Sequence, residues 1–238
     1  MAVYGYHEQP DVFEFDTEVI DSRPGAVILE RSLLHPGGGG QVSDRARLHF
    51  ESGEVGIVDV SLEGGRHWHV LAAPLAVTGK VHVAIDAAHR SRVAQLHTDT
   101  HILNALVFRH FDGALVTGAQ ISADGTARMD FDLPEVDNDA LRRLEPELNA
   151  AIRSALGVRV SYVSGAEASS TPGLIRSASV APPPTADGRI RIIEIEGLDR
   201  QACGGTHLSN TAESGPVRIT KVENKGRHNR RIRLALAT

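Results

Sequence analysis

Four side chains could hold a metal. His97 and His101 stand four residues apart where apolar positions recur at helical spacing. A helix there would bring both imidazoles to one face, about one turn apart. Cys203 and His207 are also four apart, in Cys203-Gly204-Gly205-Thr206-His207, and the two glycines favour a tight turn over a helix. A turn can fold a thiolate and an imidazole towards one point. Three imidazoles and one thiolate make a chemically sensible tetrahedral zinc set. The chain has 12 histidines, so such a pair also arises without function, and its single cysteine could equally be a small buried apolar residue. On residue types alone, a zinc site of one cysteine and three histidines, and a buried cysteine with unrelated histidines, both stand.

Gly37-Gly38-Gly39-Gly40-Gln41 exposes a run of backbone N–H groups that could cradle a phosphate, or form only a hairpin tip. No lysine stands beside it, which excludes a Walker-type loop. His67 and His69 share one side of a strand with nothing nearby to complete a site. His82, His89 and His110 read as surface or satisfied core residues. There is no Gly-x-Ser-x-Gly elbow and no Cys-x-x-Cys following a His-x-Glu, so nucleophile-elbow hydrolases and nucleobase deaminases are disfavoured.

The elements that must position these residues fall into two sets. Residues 12–20, 26–29, 55–60 and 77–85 read as short strands, punctuated by glycines at 37–40 and 64–65, which suggests a small β-barrel. The pattern changes at Asp86. Val93, Leu96, Ile102, Leu103, Leu106 and Val107 predict a helix with Ser91 as its N-cap. A second helix is predicted over 137–156 from Leu141, Leu144, Leu148 and Ile152, with a strand at 127–132 between the two. Residues 164–188, including Pro182–Pro184, read as a long loop, followed by strands at 190–195 and 217–222. A hairpin is expected over 221–236, its tip near 225–229. The fold class is α+β in two domains, a barrel over 1–88 and an α+β domain over 89–238.

The formal charge is −5, but it is uneven: residues 1–90 carry 13 acidic and 7 basic side chains. The end of the chain is basic, with Lys221, Lys225, Arg227, Arg230, Arg231 and Arg233, a patch that could meet phosphates or simply be a solvated hairpin. Aromatic residues make up 4%, which argues against base stacking. No apolar run approaches the roughly 20 residues of a membrane span, and no signal peptide is evident. A cytoplasmic protein with no membrane partner is expected. The single cysteine excludes a disulfide within the chain.

His97-Thr98-Asp99-Thr100-His101 together with Cys203-Gly204-Gly205-Thr206-His207 resembles the editing domain of alanyl-tRNA synthetases, and more closely its free-standing AlaX relatives. The 35–41 segment is similar to the glycine-rich loop in the barrel of the medium-length class. Residues 117–121, 127–131 and the run from Gly215-Pro216 through Lys225-Gly226 to Arg230-Arg231 also look like that family. The resemblance implies an N-terminal barrel and an editing domain of the threonyl/alanyl-tRNA synthetase type. It implies zinc held by His97, His101, Cys203 and His207, and a deacylase acting in trans on mischarged tRNA(Ala), removing serine and also glycine. With no adenylate-forming domain in the sequence, the chain is expected to correct charging and not to perform it.

Zinc could polarise the ester carbonyl or a water, with backbone donors around Gly204, Gly205 and Thr206 stabilising the oxyanion. Thr117, Gln120 and Gln41 are candidates to read a substrate hydroxyl. Gly38, Gly39, Gly40, Lys221, Lys225, Arg227, Arg230 and Arg231 are candidate tRNA contacts. Arg128 and Asp130 are expected to pair with each other. Asp99 departs from the small or apolar residue common in relatives; it reads as solvent-facing or hydrogen-bonded opposite the ligand face, or else as an altered pocket. Deacylation of a threonine-like aminoacyl-tRNA, and a non-catalytic zinc module binding tRNA or a protein, are the alternatives. Oligomeric state is not readable.

Overall fold

The computed structural model describes residues 4–177, 184–185 and 187–237. Within them the chain divides into two compact units, Met1–Gly38 with Val42–Ser91, and Gly39–Gln41 with Arg92–Thr238.

The first unit begins with a helical turn, α1 (Gly5–Glu8), and is otherwise a closed barrel. Its strands are β1 (Glu14–Arg23), β2 (Ala26–Leu29), β3 (Ala46–Phe50), β4 (Gly53–Glu63), β5 (Arg66–Leu71) and β6 (Gly79–Ile85), in the order β1-β2-β5-β4-β3-β6. Alternation does the sorting. In β6 the buried Val81, Val83 and Ile85 point inward, and Val83 pairs with the buried Phe15 of β1 and Leu48 of β3. Val27, Leu33, Leu48 and Val83 are fully buried, each contributing roughly 1.5–3 kcal/mol of apolar burial. Strand β3 was not expected from the sequence, although Ala46 and Leu48 alternate with Arg47 and His49 as a half-buried strand should.

One buried ion pair ties the barrel together. Arg90 donates from Nε to Asp44 Oδ2 at 3.1 Å, pairs with it again through Nη2, and reaches Leu33 O at 2.6 Å. Asp44 also accepts from the backbone N–H of His35 at 2.6 Å. Arg90 lies in the first turns of α2 (Ala87–His110), which starts earlier than the sequence suggested. Asp86 caps it by accepting from His89 N at 2.9 Å, so Ser91 lies inside the helix and is not its N-cap.

The second unit is α+β. A four-stranded sheet runs in the order β12 (Val217–Lys225), β13 (Asn229–Leu236), β8 (Thr126–Asp132) and β7 (Val116–Ile121). A three-stranded sheet runs β11 (Asp199–Ala202), β10 (Arg189–Ile195) and β9 (Val158–Ser164). The hairpin turns where Lys225 pairs with Asn229, at the expected tip.

Two expectations are corrected. The single helix over 137–156 is two, α3 (Asn138–Arg142) and α4 (Glu145–Arg153). Pro146 in the first turn of α4 has no N–H to donate and crowds the carbonyl before it, so one continuous helix cannot pass. The long loop over 164–188 contains α5 (Gly165–Ser170), capped by Ser164 Oγ accepting from Glu167 N at 3.1 Å. Pro182 and Pro183 lie outside the described residues. No described helix is long and apolar enough to cross a membrane.

His69, in the barrel, makes a testable case. It is buried, with Nε2 2.9 Å from Ser32 Oγ and Nδ1 3.3 Å from Val27 O, a pattern that suits the neutral ring. Burial pushes its pKa down to about 4. The unfolded chain therefore takes up the proton first as pH falls, and stability is lost between about 6.5 and 4. His69→Gln should lose less thermal midpoint than the parent over that interval, measured by circular dichroism at pH 7 and pH 4.5.

Candidate metal centre

Helix α2 carries His97 and His101 one turn apart, with ring centroids 5.2 Å from each other. Its apolar face is buried through Val93, Leu96, Ile102, Leu103, Leu106 and Val107, which fixes the helix's rotation and so the direction of both imidazoles. Cys203 follows β11, and His207 lies four residues on. Arg191 on β10 binds this turn, donating from Nη1 to Cys203 O at 2.9 Å and Gly205 O at 3.0 Å.

The four ligand atoms of His97, His101, Cys203 and His207 lie within 4.8 Å of one another. Cys203 Sγ is 3.4 Å from His97 Nε2 and 3.3 Å from His207 Nε2. A tetrahedral zinc with bonds of about 2.3 Å to sulfur and 2.0–2.1 Å to nitrogen needs sulfur and nitrogen about 3.6 Å apart. The donor set and its spacing therefore fit the ion.

Each imidazole is also held from behind. His97 Nδ1 donates to Gln41 Oε1 at 2.7 Å, and His207 Nδ1 lies 3.3 Å from Thr98 Oγ1, whose own proton goes to Ala94 O. His101 Nδ1 lies 3.3 Å from Asp199 Oδ2. Asp199 is fixed in turn by Arg176 at 2.8 Å and by Gln201 Nε2 at 2.6 Å. Such outer partners set the tautomer and leave Nε2 for a ligand.

The electrostatics agree with a cation site. Burial alone would raise the Cys203 thiol, but the imidazoles of His97, His207 and His101 hold its pKa well below the ordinary thiol value. Burial alone would lower His101, yet the Cys203 thiolate and Asp199 raise it to about 9. Burial and the neighbouring His97 push His207 down. Without a cation, the buried thiolate is balanced by a proton on the histidines; a metal would displace that proton.

Gln41 sits at this centre within the same compact unit. Besides His97, its Oε1 accepts from Thr206 N at 3.0 Å, and its Nε2 donates to Thr206 Oγ1 at 2.9 Å. Gly40 makes the approach possible. Its φ is +89°, its carbonyl accepts from Ile121 N at 2.6 Å, and a Cβ there would lie 2.7 Å from Ala119 O. Gly38 and Gly39, by contrast, face open space.

The remaining residues singled out in the sequence lie elsewhere. Thr117 donates to Asn229 Oδ1 at 3.0 Å, and the exposed Gln120 accepts from Arg128 Nε at 3.0 Å. Of the backbone donors expected around Gly204, Gly205 and Thr206, the N–H groups of Gly205 and Thr206 are directed to Cys203 Sγ and Gln41 Oε1. Arg128 does pair with Asp130, at 3.0 Å. Arg230 is buried and donates to Val136 O at 3.1 Å, because alternation along β13 turns it inward with Ile232 and Leu234. Arg231 forks onto Asp130 at 2.6 and 2.7 Å. Lys221 lies 3.0 Å from Glu223, while Lys225 and Arg227 are exposed at the turn.

Asp99 is not solvent-facing: it is fully buried and accepts from Ser214 Oγ at 3.0 Å. Burial raises its pKa to about 7, against the Ser214 hydrogen bond. Sequence reasoning missed Thr98, Asp199 and Arg191. Thr98 could have been found from its place between the two histidines; the other two carry no local signal.

Residues 190–233, which hold Cys203 and His207, match the family described as the threonyl and alanyl tRNA synthetase second additional domain. The chain is 36% identical over 231 residues to the alanyl-tRNA editing protein AlaX-M of Saccharolobus solfataricus, covering 95% of each chain. It is 35% identical to that of Methanosarcina barkeri, covering 88% of each. It is also 30% identical to the alanine–tRNA ligase of Korarchaeum cryptofilum, over 90% of this chain and 24% of the ligase. The chain belongs to the AlaX-M family of alanyl-tRNA editing proteins.

Two outcomes test the centre. A Cβ at Gly205 would lie 2.2 Å from His97 Cε1 and 2.5 Å from Gln41 Oε1. Gly205→Ala should therefore weaken metal binding by roughly 10–100-fold, as loss of a ligand's outer support does, read by chelator competition. Asp99 costs stability as pH rises from about 4 through 7, because the unfolded chain ionises it first while the buried carboxyl stays protonated. Asp99→Asn keeps an acceptor for Ser214 and should raise the thermal midpoint at pH 8, with the gap narrowing towards pH 4.

Proposed function

We propose that this chain hydrolyses the ester of mischarged tRNA(Ala) in trans, removing serine and also glycine, with Zn2+ held by His97, His101, Cys203 and His207. The observation that carries the reading is the buried cluster of one cysteine and three histidines with every imidazole held from behind, in a chain whose relatives are named for alanyl-tRNA editing. The cytoplasm, where charged tRNA is found, is the proposed compartment.

A bound zinc would supply Lewis-acid polarisation to an ester carbonyl or a water. The protein's own groups do the rest. Gln41 and Thr98 fix the ring tautomers of His97 and His207. The Thr206 hydroxyl already accepts from Gln41, and its own proton has no protein partner among the described residues. That proton and the second N–H of Gln41 are the donors we assign to the substrate. A hydroxyl-bearing serine would use them in a way alanine cannot, which supplies discrimination that a pocket sized for alanine lacks.

Four protein donors also describe a closed structural zinc, the non-catalytic alternative that the Cys203→Ala variant below separates from catalysis. The tRNA would be met by the exposed Lys225 and Arg227, by Lys221, and by the open glycines 38–39.

The test is hydrolysis of Ser-, Gly-, Thr- and Ala-tRNA(Ala), with Thr-tRNA(Thr) alongside. Loss of serine and glycine with alanine spared is the expected result. Preference for Thr-tRNA(Thr) would move the assignment to a threonine-like substrate. No turnover by folded, zinc-loaded protein would overturn the deacylase reading. Cys203→Ala should abolish turnover while the far-ultraviolet spectrum is kept; loss of fold together with activity would mark a structural ion.

A further inference from the structure

The face of the four-stranded sheet carries a feature that the metal centre does not use. Arg128 on β8 and Arg233 on β13 are direct cross-strand partners. Like charges placed opposite one another cost stability, so such a pair needs a reason. Arg231, two residues before Arg233 on the same side of β13, brings a third guanidinium, and Lys221 of β12 also pairs with Arg233. Against these four cations stand two carboxylates, Asp130 and Glu223.

The three arginines line a groove of about 460 Å³ with Gln120, Ser122, Thr126 and Thr220. Every polar side chain in that lining can donate a hydrogen bond, and no carboxylate is among them. The two acids instead anchor the guanidiniums. Arg128 uses Nε on Gln120 and Nη1 on Asp130, and Arg233 uses Nε on Glu223 at 2.8 Å. Their other N–H groups have no protein partner among the described residues. Positions two apart on a strand are separated by about 7 Å, comparable to the spacing of successive phosphates along an RNA strand.

We propose that this groove binds the phosphodiester backbone of an RNA stem, with Arg231 and Arg233 on successive phosphates and Arg128, directly opposite Arg233, sharing the phosphate of Arg233. The proposal rests on the tRNA deacylase reading for its choice of RNA. It assigns the stem next to the charged end, because Gln120 at the groove adjoins Ile121, which bridges to Gln41, and Gln41 holds His97. The backbone is thereby gripped on the sheet while the terminal ester reaches the centre. Contacts of this kind carry no sequence information; they position the substrate.

The experiment uses the full chain and an uncharged, fluorescently labelled acceptor-stem hairpin ending in CCA, with binding followed by anisotropy across a salt series. Arg128→Gln/Arg233→Gln should raise Kd at least tenfold and flatten the log–log salt slope by about 1–2, the loss of one or two phosphate contacts. Arg128→Lys/Arg233→Lys, which keeps the charge and guards against a folding defect, should bind within about threefold of the parent. An unchanged Kd and slope in the glutamine variant would overturn the proposal. So would a parent that binds inorganic phosphate at millimolar concentration but not the hairpin, since that marks a free-anion site. Because the hairpin is uncharged, failure here is separate from failure to hydrolyse Ser-tRNA(Ala).

Discussion

A buried thiolate is the constraint on which the second unit depends. Cys203 is buried among three imidazoles, and a charge in that position is tolerable only when countered. The surrounding architecture can be derived from that need. α2 presents two imidazoles, and the glycine turn brings the sulfur and the third. Gln41, Thr98 and Asp199 then hold each ring by its far nitrogen, so the near nitrogens converge on the sulfur. Removing the outer partners would leave rings of the right type in the wrong direction.

Glycine makes this convergence possible in two places. At Gly205 the imidazole of His97 and the amide of Gln41 occupy the space a side chain would take. At Gly40 the backbone passes against Ala119, which lets Gln41 reach the centre at all. The glycine-rich segment thus has two distinct parts. Gly40 is packing, required by the approach of two backbones, while Gly38 and Gly39 remain open.

Much of this was legible in the sequence because it is local. The i, i+4 spacing of His97 and His101 and the glycines between Cys203 and His207 are read within one turn of chain. Alternation in β1, β6, β8 and β12 and the turn at 225–229 are equally local. What escaped has a physical reason in each case. The helix starts after Asp86 and not at Ser91 because the Asp86 carboxylate takes the N–H of His89, and the first turn, Ala87 to Arg90, precedes the apolar stripe that marks the helix in the sequence. Pro146 broke an apolar periodicity that ran on past it. Asp199 and Arg191 act across strands whose pairing depends on the whole sheet. Gln41 stands 56 residues from His97, and only its adjacency to the glycines hinted at more than a loop residue. Arg230 counted as a surface charge in the sequence, yet the alternation of β13 buries it.

The most direct measurement is X-ray absorption at the zinc edge of purified, metal-loaded protein. One sulfur at about 2.3 Å and three nitrogens at about 2.0–2.1 Å are predicted around the ion. A shell without sulfur, or with fewer than three imidazole nitrogens, would contradict a centre built on Cys203 and the three histidines.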